Sequence, residues 1–421
     1  MLALLLLLLV PLPAVQSYYV APALRGAPSG NGTAERPWDL ATALAGAGGR
    51  IQPGDTVWLA GGRYPGAFRT ELRGEAGRLI VFRQQRGARA TIDGTLRADG
   101  AYLAFWGFEI MQSNPAHGTY GLEARTNHGR FINLIIHDAG SMGVSFWTPG
   151  ENAELYGCIV YNNGTHENLD HGVYVHNERG TKRLVDNVFF NNLAYGVHAY
   201  AGRGNPPQRG IVIQGNIAFN NGAISHRSEA KGNILVGGQV PVAAVDVSFN
   251  YLFYSGVKGV NLRLGYAPIS NEDLIARGNY IWGGETRLSL GNWLRAQVQG
   301  NTIQGNQAAV FVRPNLYEPG RAHIVAYNHA GSRALRADVS GVLKPGDQYE
   351  LRSVQDVFGA PVARGTYSGD SIVVPMADPV PVALPIGRVT GTPPVTRPLF
   401  DAFLLTLSGA APSGTPAPPA P

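Results

Sequence analysis

Two segments in the middle of the chain show the clearest alternation of hydrophobic and polar positions. They are Asp170–His176 (DHGVYVH) and Tyr195–Tyr200 (YGVHAY). After the glycine of each segment, small aliphatic residues alternate with tyrosine or histidine, which is the period of a β-strand with one buried side. The side chains expected on the exposed side are Tyr174, His176, His198 and Tyr200. Because tyrosine and histidine can transfer protons, four such side chains on one surface make this the first candidate for a functional site.

Short strands of the same kind recur along the chain at a fixed interval. Three apolar residues followed by Asn-Asn begin at positions 159, 188 and 217, so the spacing is 29 residues both times (188 − 159 and 217 − 188). Repeats of this length, made of β-branched strands and Gly/Asn turns, are typical of a solenoid. We therefore predict an all-β fold, a right-handed parallel β-helix.

The asparagines at the start of these strands predict a stacked column at one corner of the coil. Asparagine tolerates left-handed backbone angles, and its amide can bond the backbone of the next coil. Cys158 falls in the same column, which predicts a small buried residue and not a reactive thiol. The predicted column contains Asn133, Asn187, Asn216, Asn250, Asn279 and Asn301.

The regions outside the repeat predict how the chain is divided. The N-terminus joins an apolar run to a small-residue end, which predicts a secretory signal peptide and export to the extracellular space or periplasm. Residues 37–46 (PWDLATALAG) predict one short helix. The expected parts are a signal peptide (1–17), an N-terminal cap with the first coils (18–95), the parallel β-helix (96–340), a C-terminal β-rich cap (341–405) and a disordered tail (406–421).

Aligning the coils on the residue before each alternating strand predicts two columns of outward side chains. The anchors of the alignment are Gly143, Gly172, Gly196, Gly259 and Ala309. The first column reads Ser145, Tyr174, His198, Asn261 and Phe311. The second column reads Trp147, His176, Tyr200, Arg263 and Arg313. Stacked strands lie about 4.8 Å apart, so the tyrosines and histidines are expected to be close neighbours.

The net charge of the chain indicates which class of ligand this surface could bind. The net charge of +5 and the pI of about 9.2 are mildly basic, which suits an acidic polymer. An aromatic ring can stack on a sugar while an arginine pairs with its carboxylate. The expected partner is therefore an acidic polysaccharide and not a nucleic acid. The protein is expected to act as a monomer without a membrane span.

The residue types in the two columns favour β-elimination over hydrolysis. Hydrolysis of a glycosidic bond usually needs two carboxyl groups facing each other, and the columns contain no such pair. Elimination needs a base, an acid and a group that holds the developing negative charge. The sequence assigns the base to His176 or His198, the acid to Tyr174 or Tyr200, and the carboxylate clamp to Arg263 or Asn261.

Further residues complete the predicted site. Trp147 and Arg313 are expected to bind substrate, and Lys258 is the second choice for the base. Asp170 and His171 precede the key strand, where they either orient His176 or bind substrate, while Asp170 as a turn-capping residue is an equal alternative. No metal ligand is assigned and no cofactor is required, although His166, Glu167 and Asp170 leave room for a calcium ion.

Two other classes of function stay open. A non-catalytic glycan-binding or cell-surface β-helix protein would use the same columns only to hold sugar. A glycoside hydrolase or a C5-epimerase would place other chemistry on the same fold.

The chain resembles the pectate-lyase-like superfamily of right-handed parallel β-helix proteins, which includes polysaccharide lyases and uronan C5-epimerases. The resemblance rests on Tyr18–Pro22 (YYVAP), on Pro53–Val57 (PGDTV) and on the asparagine-led coils from Asn133 to Asn328. It covers roughly residues 18–340 and implies the fold and a polysaccharide substrate.

Two short motifs carry similarity at the level of single residues. Asn261–Gly265 (NLRLG) is similar to the Asn-Phe-Arg-x-Gly stretch around the catalytic arginine of the alginate lyase and chondroitinase B family, which implies that role for Arg263. Glu229 and Lys231 are similar to the calcium-binding glutamate and catalytic lysine of that family. Leu169–His171 is similar to the Asp-Pro-His-Asp motif of mannuronan epimerases, without its proline and second aspartate.

Overall fold

The computed structural model describes residues 14–23, 25–166, 169–225, 232–256, 259–386 and 391–408. Helix α1 (Leu40–Leu44) begins after Asp39, whose side chain accepts a hydrogen bond from the Thr42 backbone N–H at 2.7 Å. Such an N-cap satisfies a backbone donor that has no partner within the helix. Leu40 and Leu44 are buried in the core shared with the first coils, so the predicted N-terminal helix is present.

The strands of the coils follow one another with short turns. In chain order they are β1 (Ser17–Val20), β2 (Thr56–Leu59), β3 (Gly62–Thr70), β4 (Ile80–Gln84), β5 (Ala90–Ala98), β6 (Leu103–Trp106), β7 (Glu109–Met111), β8 (Leu122–Ala124), β9 (Arg130–Ile132), β10 (Ile135–His137), β11 (Val144–Phe146), β12 (Glu154–Tyr156), β13 (Ile159–Tyr161), β14 (Val173–Val175), β15 (Lys182–Val185), β16 (Val188–Phe190), β17 (Val197–Ala201), β18 (Gln208–Gln214), β19 (Ile217–Phe219), β20 (Gly232–Gly238), β21 (Val242–Ser248), β22 (Tyr251–Tyr254), β23 (Val260–Leu264), β24 (Ser270–Arg277), β25 (Tyr280–Gly283), β26 (Thr286–Leu290), β27 (Asn292–Gln299) and β28 (Thr302–Ile303).

These strands stack in parallel and form three faces of a solenoid. Face one contains β1, β2, β4, β6, β9, β12, β15, β18, β21, β24 and β27. Face two contains β7, β10, β13, β16, β19, β22, β25 and β28, and face three contains β8, β11, β14, β17, β20, β23 and β26. The long strands β3 and β5 run across faces two and three. This architecture confirms the predicted right-handed parallel β-helix.

The predicted column of asparagines lies buried at the corner between faces one and two. The Cys158 backbone N–H donates to Asn187 Oδ1 at 2.9 Å, and the Asn187 amide donates to Asn216 Oδ1 at 2.9 Å. The column continues through Asn250, Asn279 and Asn301. Cys158 is fully buried as predicted, and burial raises the pKa of its thiol to about 12.

Asn133 is an exception, and its assignment to the column is wrong. Ile135 pairs with Ile159, which places Leu134 and not Asn133 level with Cys158. Asn133 instead occupies the preceding turn position with a φ of 53°, in the left-handed region that asparagine tolerates. Its side chain contacts Asn315 at 2.7 Å.

A second column of asparagines, which the sequence did not predict as one, lies at the corner between faces two and three. Its amides are linked in turn from Asn163 through Asn192, Asn221 and Asn233 to Asn261. Asn261 is fully buried, and its amide donates to the Gly283 carbonyl at 2.7 Å. The prediction that Asn261 faces outward and binds substrate is therefore wrong.

The parallel coils end at β28, and the remaining strands form an antiparallel C-terminal unit. Its strands are β29 (Ala309–Pro314), β30 (Ala322–Tyr327), β31 (Ala334–Ala337), β32 (Gln348–Ser353), β33 (Ala363–Thr366), β34 (Ile372–Pro375) and β35 (Phe400–Leu407), with one 3-10 turn at Val354–Asp356. The larger sheet has the order β29-β30-β35-β32-β33, and β31 pairs with β34. The β-helix thus ends between Ile303 and Ala309, earlier than the expected residue 340.

The C-terminal unit packs along face two. Phe400 stacks on Phe253 with ring centroids 4.3 Å apart, and the Tyr327 hydroxyl donates to the Leu252 carbonyl at 3.2 Å. From β13 to β22, face two is apolar on both sides, which is the pattern of a sheet covered on both sides. The unit therefore covers a side of the solenoid and leaves the last coil open, where Leu290 and Ile303 are 47% and 46% exposed. The residues of the predicted tail from 409 onward lie outside the described residues.

Replacing Asn216 by alanine should destabilise the protein strongly. The change leaves the Leu184 carbonyl and the Asn187 amide without their partners in a site that water does not reach. We expect a loss of about 3 kcal/mol in the free energy of unfolding, since each unsatisfied buried group costs about 1–3 kcal/mol. Denaturant unfolding followed by circular dichroism measures this loss.

Asn301→Ala provides the matched control. Asn301 is the last rung of the same column and is only half-buried, so water can replace its bonds. Its substitution should cost clearly less than that of Asn216. Equal losses for both variants would contradict the role of burial in the column.

Candidate functional site

The outward side chains of face three form the columns from which the site is built. In the first column Ser145 pairs with Tyr174, which pairs with His198. The next two members are Leu235 and Arg263. The sequence alignment placed Arg263 in the second column, because it matched Val260 to Val197. The structure matches Leu262 to that level instead, a shift of two residues.

His198 lies at the centre of an aromatic cluster. The rings of Tyr174, Tyr195 and Tyr200 stack around it with centroid distances of 5.3, 5.0 and 4.9 Å. The His171 ring lies 4.1 Å from it on the side of the preceding turn. The structure thus brings together three members of the predicted quartet, and His198 remains half-exposed at the surface of face three.

His176, the fourth member, is placed differently. The Trp147 ring covers it at 4.4 Å, and only 1% of His176 is exposed. Its Nε2 lies 3.3 Å from the Pro206 carbonyl, and burial lowers its pKa. Trp147 also lies 4.9 Å from Tyr174, so it extends the aromatic cluster by one coil. His176 supports the tryptophan ring and is not accessible to a glycan.

Lys182 anchors this part of the cluster from inside the coil. Its Nζ donates to the backbone carbonyls of Phe146, Trp147 and His176 at 2.9, 2.7 and 2.9 Å. Lys182 is fully buried, and burial lowers its pKa to about 7. One ammonium group therefore ties together the ends of β11 and β14, where Trp147 and His176 are attached.

Asp170 and His171 have distinct positions. Asp170 is buried and accepts hydrogen bonds from the backbone N–H groups of Thr165, at 2.8 Å, and of His166. This is the turn-capping alternative of the two expectations. His171 is buried beneath the cluster, and its Nδ1 accepts a hydrogen bond from the Tyr195 backbone N–H at 3.2 Å. It supports the ring of His198 from below.

Arg263 lies at the far end of the cluster. Its guanidinium group is 5.5 Å from the ring of Tyr266, which in turn makes an edge contact with Tyr200 at 6.5 Å. Leu235 separates Arg263 from His198 in the column, so the two Cα atoms are two strand spacings, about 10 Å, apart. The long arginine side chain remains within reach of a ligand at the cluster.

The remaining predicted residues are elsewhere. Arg313 lies in the C-terminal unit and pairs with Asp186 at 2.7 Å, so its assignment to the substrate-binding column is wrong. Lys258, Glu167, Glu229 and Lys231 lie outside the described residues. Among the residues that are described, no group of three or more His, Cys, Asp or Glu side chains is arranged to hold a metal ion.

The tyrosines of the cluster hold their protons firmly. Burial and the neighbouring Tyr200 raise the pKa of Tyr174 to about 12, and burial also raises the pKa of Tyr200. Both phenols are therefore hydrogen-bond and proton donors at neutral pH.

Sequence reasoning missed Tyr195, Tyr266 and Lys182. Tyr195 directly precedes an anchoring glycine, as His171 does, and this shared position was the available signal. Tyr266 follows the NLRLG motif by one residue. Lys182 gave no signal, because its partners are backbone carbonyls from separate segments.

Comparison with known proteins supports the fold. Residues 89–240 match a family described as "Right handed beta helix region". The structure is similar to that of pectate lyase Pel9A, with a TM-score of 0.50 and 19% identity over 69% of this chain and 80% of the other. It is also similar to a rhamnogalacturonan lyase, with a TM-score of 0.50 and 16% identity over 68% and 87%.

These likenesses confirm the pectate-lyase-like right-handed β-helix at the level of fold. Among curated proteins, no sequence matches this chain. The described part of the chain contains no helix of the length and apolarity that crossing a membrane requires.

Replacing Lys182 by methionine should destabilise the protein, because the carbonyls of Phe146, Trp147 and His176 lose their donor. We expect a loss of about 2 kcal/mol in the free energy of unfolding. The folded-state pKa of about 7 lies below the unfolded value, so the unfolded chain binds more protons above pH 7. The stability of the wild type relative to the variant should therefore rise as the pH increases from about 7 towards about 10.

Arg183→Met is the control for this experiment. Arg183 is the next residue on the same strand, but its side chain is 42% exposed, and its partner Glu154 also accepts a hydrogen bond from the Tyr317 hydroxyl at 2.6 Å. Its substitution should cost less than about 1 kcal/mol. Denaturant unfolding of the three proteins across the pH range gives both results. A stability difference between wild type and Lys182→Met that does not change with pH would refute the titration of Lys182.

Proposed function

We propose that the protein is a polysaccharide lyase that cleaves an acidic, uronic-acid-containing glycan by β-elimination. The observation that carries this proposal is the half-exposed His198 surrounded by the phenols of Tyr174, Tyr195 and Tyr200. An imidazole that can accept a proton lies beside phenols that can donate one, and this is the pair of groups that elimination needs.

The reaction transfers two protons, breaks the C5–H and C4–O4 bonds and forms the C4–C5 double bond. The base removes the proton from C5, next to the carboxylate, and the electron pair of that C–H bond forms the C4–C5 double bond. The C4–O4 bond breaks, and the leaving oxygen takes a proton from the acid. The carboxylate bears the developing negative charge, which a cation or hydrogen-bond donors stabilise.

We assign the base to His198 and the acid to Tyr200 or Tyr174. Of the two histidines considered, His198 is half-exposed, whereas Trp147 covers His176. The raised pKa values of the two tyrosines keep them protonated until the leaving oxygen needs a proton. Trp147 would stack on the apolar side of a sugar ring one or two coils away.

Arg263 is the proposed partner of the uronic carboxylate. A guanidinium group forms two parallel hydrogen bonds with a carboxylate, which suits the planar enediolate. The Tyr266 ring lies beside this guanidinium group and limits its positions. The proposed reaction requires no metal ion, and calcium enters the test only because Glu229 is similar to the calcium-binding glutamate of the alginate lyase and chondroitinase B family.

The carboxylates of face three favour elimination over hydrolysis. Within the described columns, Glu123 lies 3.8 Å from Arg97, and Asp99 accepts hydrogen bonds from arginines. Both lie on coils before the aromatic cluster and do not flank His198. That a pectate lyase and a rhamnogalacturonan lyase share the fold also supports the proposal. We further propose that the protein is exported and acts on an extracellular or periplasmic glycan.

Incubation with a panel of acidic glycans tests the proposed reaction. Purified protein would be mixed with pectate, alginate, hyaluronan, chondroitin or glucuronan, with and without calcium. We expect an increase in ultraviolet absorbance on one polymer, because elimination leaves a conjugated double bond. His198→Gln should lower the rate about 100-fold or more, as expected for loss of a general base.

His329→Gln is the matched control for this substitution. His329 is a half-buried histidine near the end of face two, where it contacts Trp282, and its substitution should leave the rate unchanged. New reducing ends without absorbance would instead identify a hydrolase. Binding without either product would identify a non-catalytic protein. Either of these two results would exclude the lyase.

A further inference from the structure

A cleft with several arginines lies on face three, on the coils that precede the aromatic cluster. It has a volume of about 320 Å³, and Pro149 and Asn127 form part of its wall. We call it the arginine cleft. The charged side chains that line it are Arg69, Glu71, Arg73, Arg97, Asp99 and Arg125.

The arginine cleft continues the columns of the aromatic cluster. Arg97 pairs with Glu123, which pairs with Ser145, and Ser145 leads to Tyr174 and His198. Arg97 is therefore four strand spacings, roughly 19 Å, from His198. A glycan that lies along the solenoid axis would reach both places.

One carboxylate fixes the arginines of the cleft. Asp99 accepts hydrogen bonds from the Nε atoms of Arg69, Arg97 and Arg125 at 3.1, 2.7 and 3.0 Å. Burial alone would raise the pKa of Asp99, but the hydrogen bonds from Arg97 and Arg125 outweigh it and lower that pKa. Asp99 therefore stays ionised and holds three guanidinium groups in place before any ligand arrives.

The charge balance of the cleft favours an anion. Arg69, Arg73, Arg97 and Arg125 face the carboxylates of Asp99, Glu71 and Glu123, which leaves one positive charge in excess. The Glu71 side chain is 67% exposed, so its ion pair with Arg69 is weak and an incoming anion can replace it.

We propose that the arginine cleft is a subsite for a carboxylate or sulfate group of the bound glycan. Guanidinium groups match both oxyanions through paired hydrogen bonds, and Asp99 has already oriented them. The inference rests on the proposed function in that the same glycan extends to His198. It adds that the substrate carries an anionic group several sugar units from the cleaved bond.

Calorimetric binding of oligosaccharides without turnover tests the subsite. The probes are hexagalacturonate, which carries only carboxylates, and a chondroitin sulfate hexasaccharide, which also carries sulfates. Arg97→Gln and Arg125→Gln should each raise Kd about tenfold for the preferred probe. Tighter binding of the sulfated probe would identify a sulfate subsite, and tighter binding of hexagalacturonate a carboxylate subsite.

Arg295→Gln is the matched control. Arg295 is an exposed arginine on face one that pairs with Asp273, away from the cleft, and its substitution should leave Kd unchanged. Arg97→Lys keeps the charge but removes the paired N–H donors of the guanidinium group. It should therefore weaken binding without lowering the melting temperature. This variant decides the matter where Arg97→Gln does not fold.

The result separates the subsite from the proposed reaction. Arginine-dependent binding without any double-bond formation would support the cleft and refute the lyase. Kd values that stay at the wild-type level in the folded arginine variants, for both probes, would overturn the subsite even where the lyase reaction is observed. If the wild type binds neither probe, the proposed subsite is overturned as well.

Discussion

The buried amides of corner asparagines hold the coils from Cys158 to Asn301 to their neighbours. Asn216 accepts from the backbone and the side chain of Asn187 and donates to Asn250 and to the Leu184 carbonyl. Because an unsatisfied buried amide is costly, a rung is stable only when the coils on both sides are in register. The register in turn decides which side chains of a strand point inward, since a slip of one residue exchanges the two sides. The aromatic cluster on face three therefore depends on bonds made at the corners.

The dependence of register on the corner asparagines also explains which parts of the fold and of the candidate site could be predicted from the sequence. The 29-residue repeat and the alternation around Tyr174 and His198 predicted the fold and the centre of the cluster, because glycine and valine positions agree in these coils. The predicted register of Gly259–Leu264 was wrong by two residues because Val260 and Leu262 are both apolar and both point inward, so either could be matched to Val197. Asn233 settles the register by taking the rung that links Asn221 to Asn261. Such a link between distant segments leaves no periodic trace in the sequence.

The exposure of the outward side chains depends on parts of the chain outside the strands that carry them. Face two carries apolar residues on both sides, and the C-terminal unit covers it with Phe400 and Tyr327. On face three the outward side chains of β14 and β17, such as Tyr174 and His198, remain partly exposed, whereas Leu235 in the same column is buried. His176 and Tyr174 have the same pattern in sequence, yet Trp147 and the Pro206 carbonyl enclose only the first. Accessibility was thus set by neighbouring coils and turns, which a strand pattern does not specify.

The number of residues between successive rungs varies, although the rungs themselves do not. Linked asparagines are 22 residues apart between Asn279 and Asn301 and 34 apart between Asn216 and Asn250, with amide contacts of 2.8 and 3.0 Å. The chain between two rungs can therefore lengthen or shorten without disturbing the stack. In evolutionary terms, the scaffold and the surface it displays can change independently. New loops around face three can change the surface that this face displays while the corners that fold the protein stay the same.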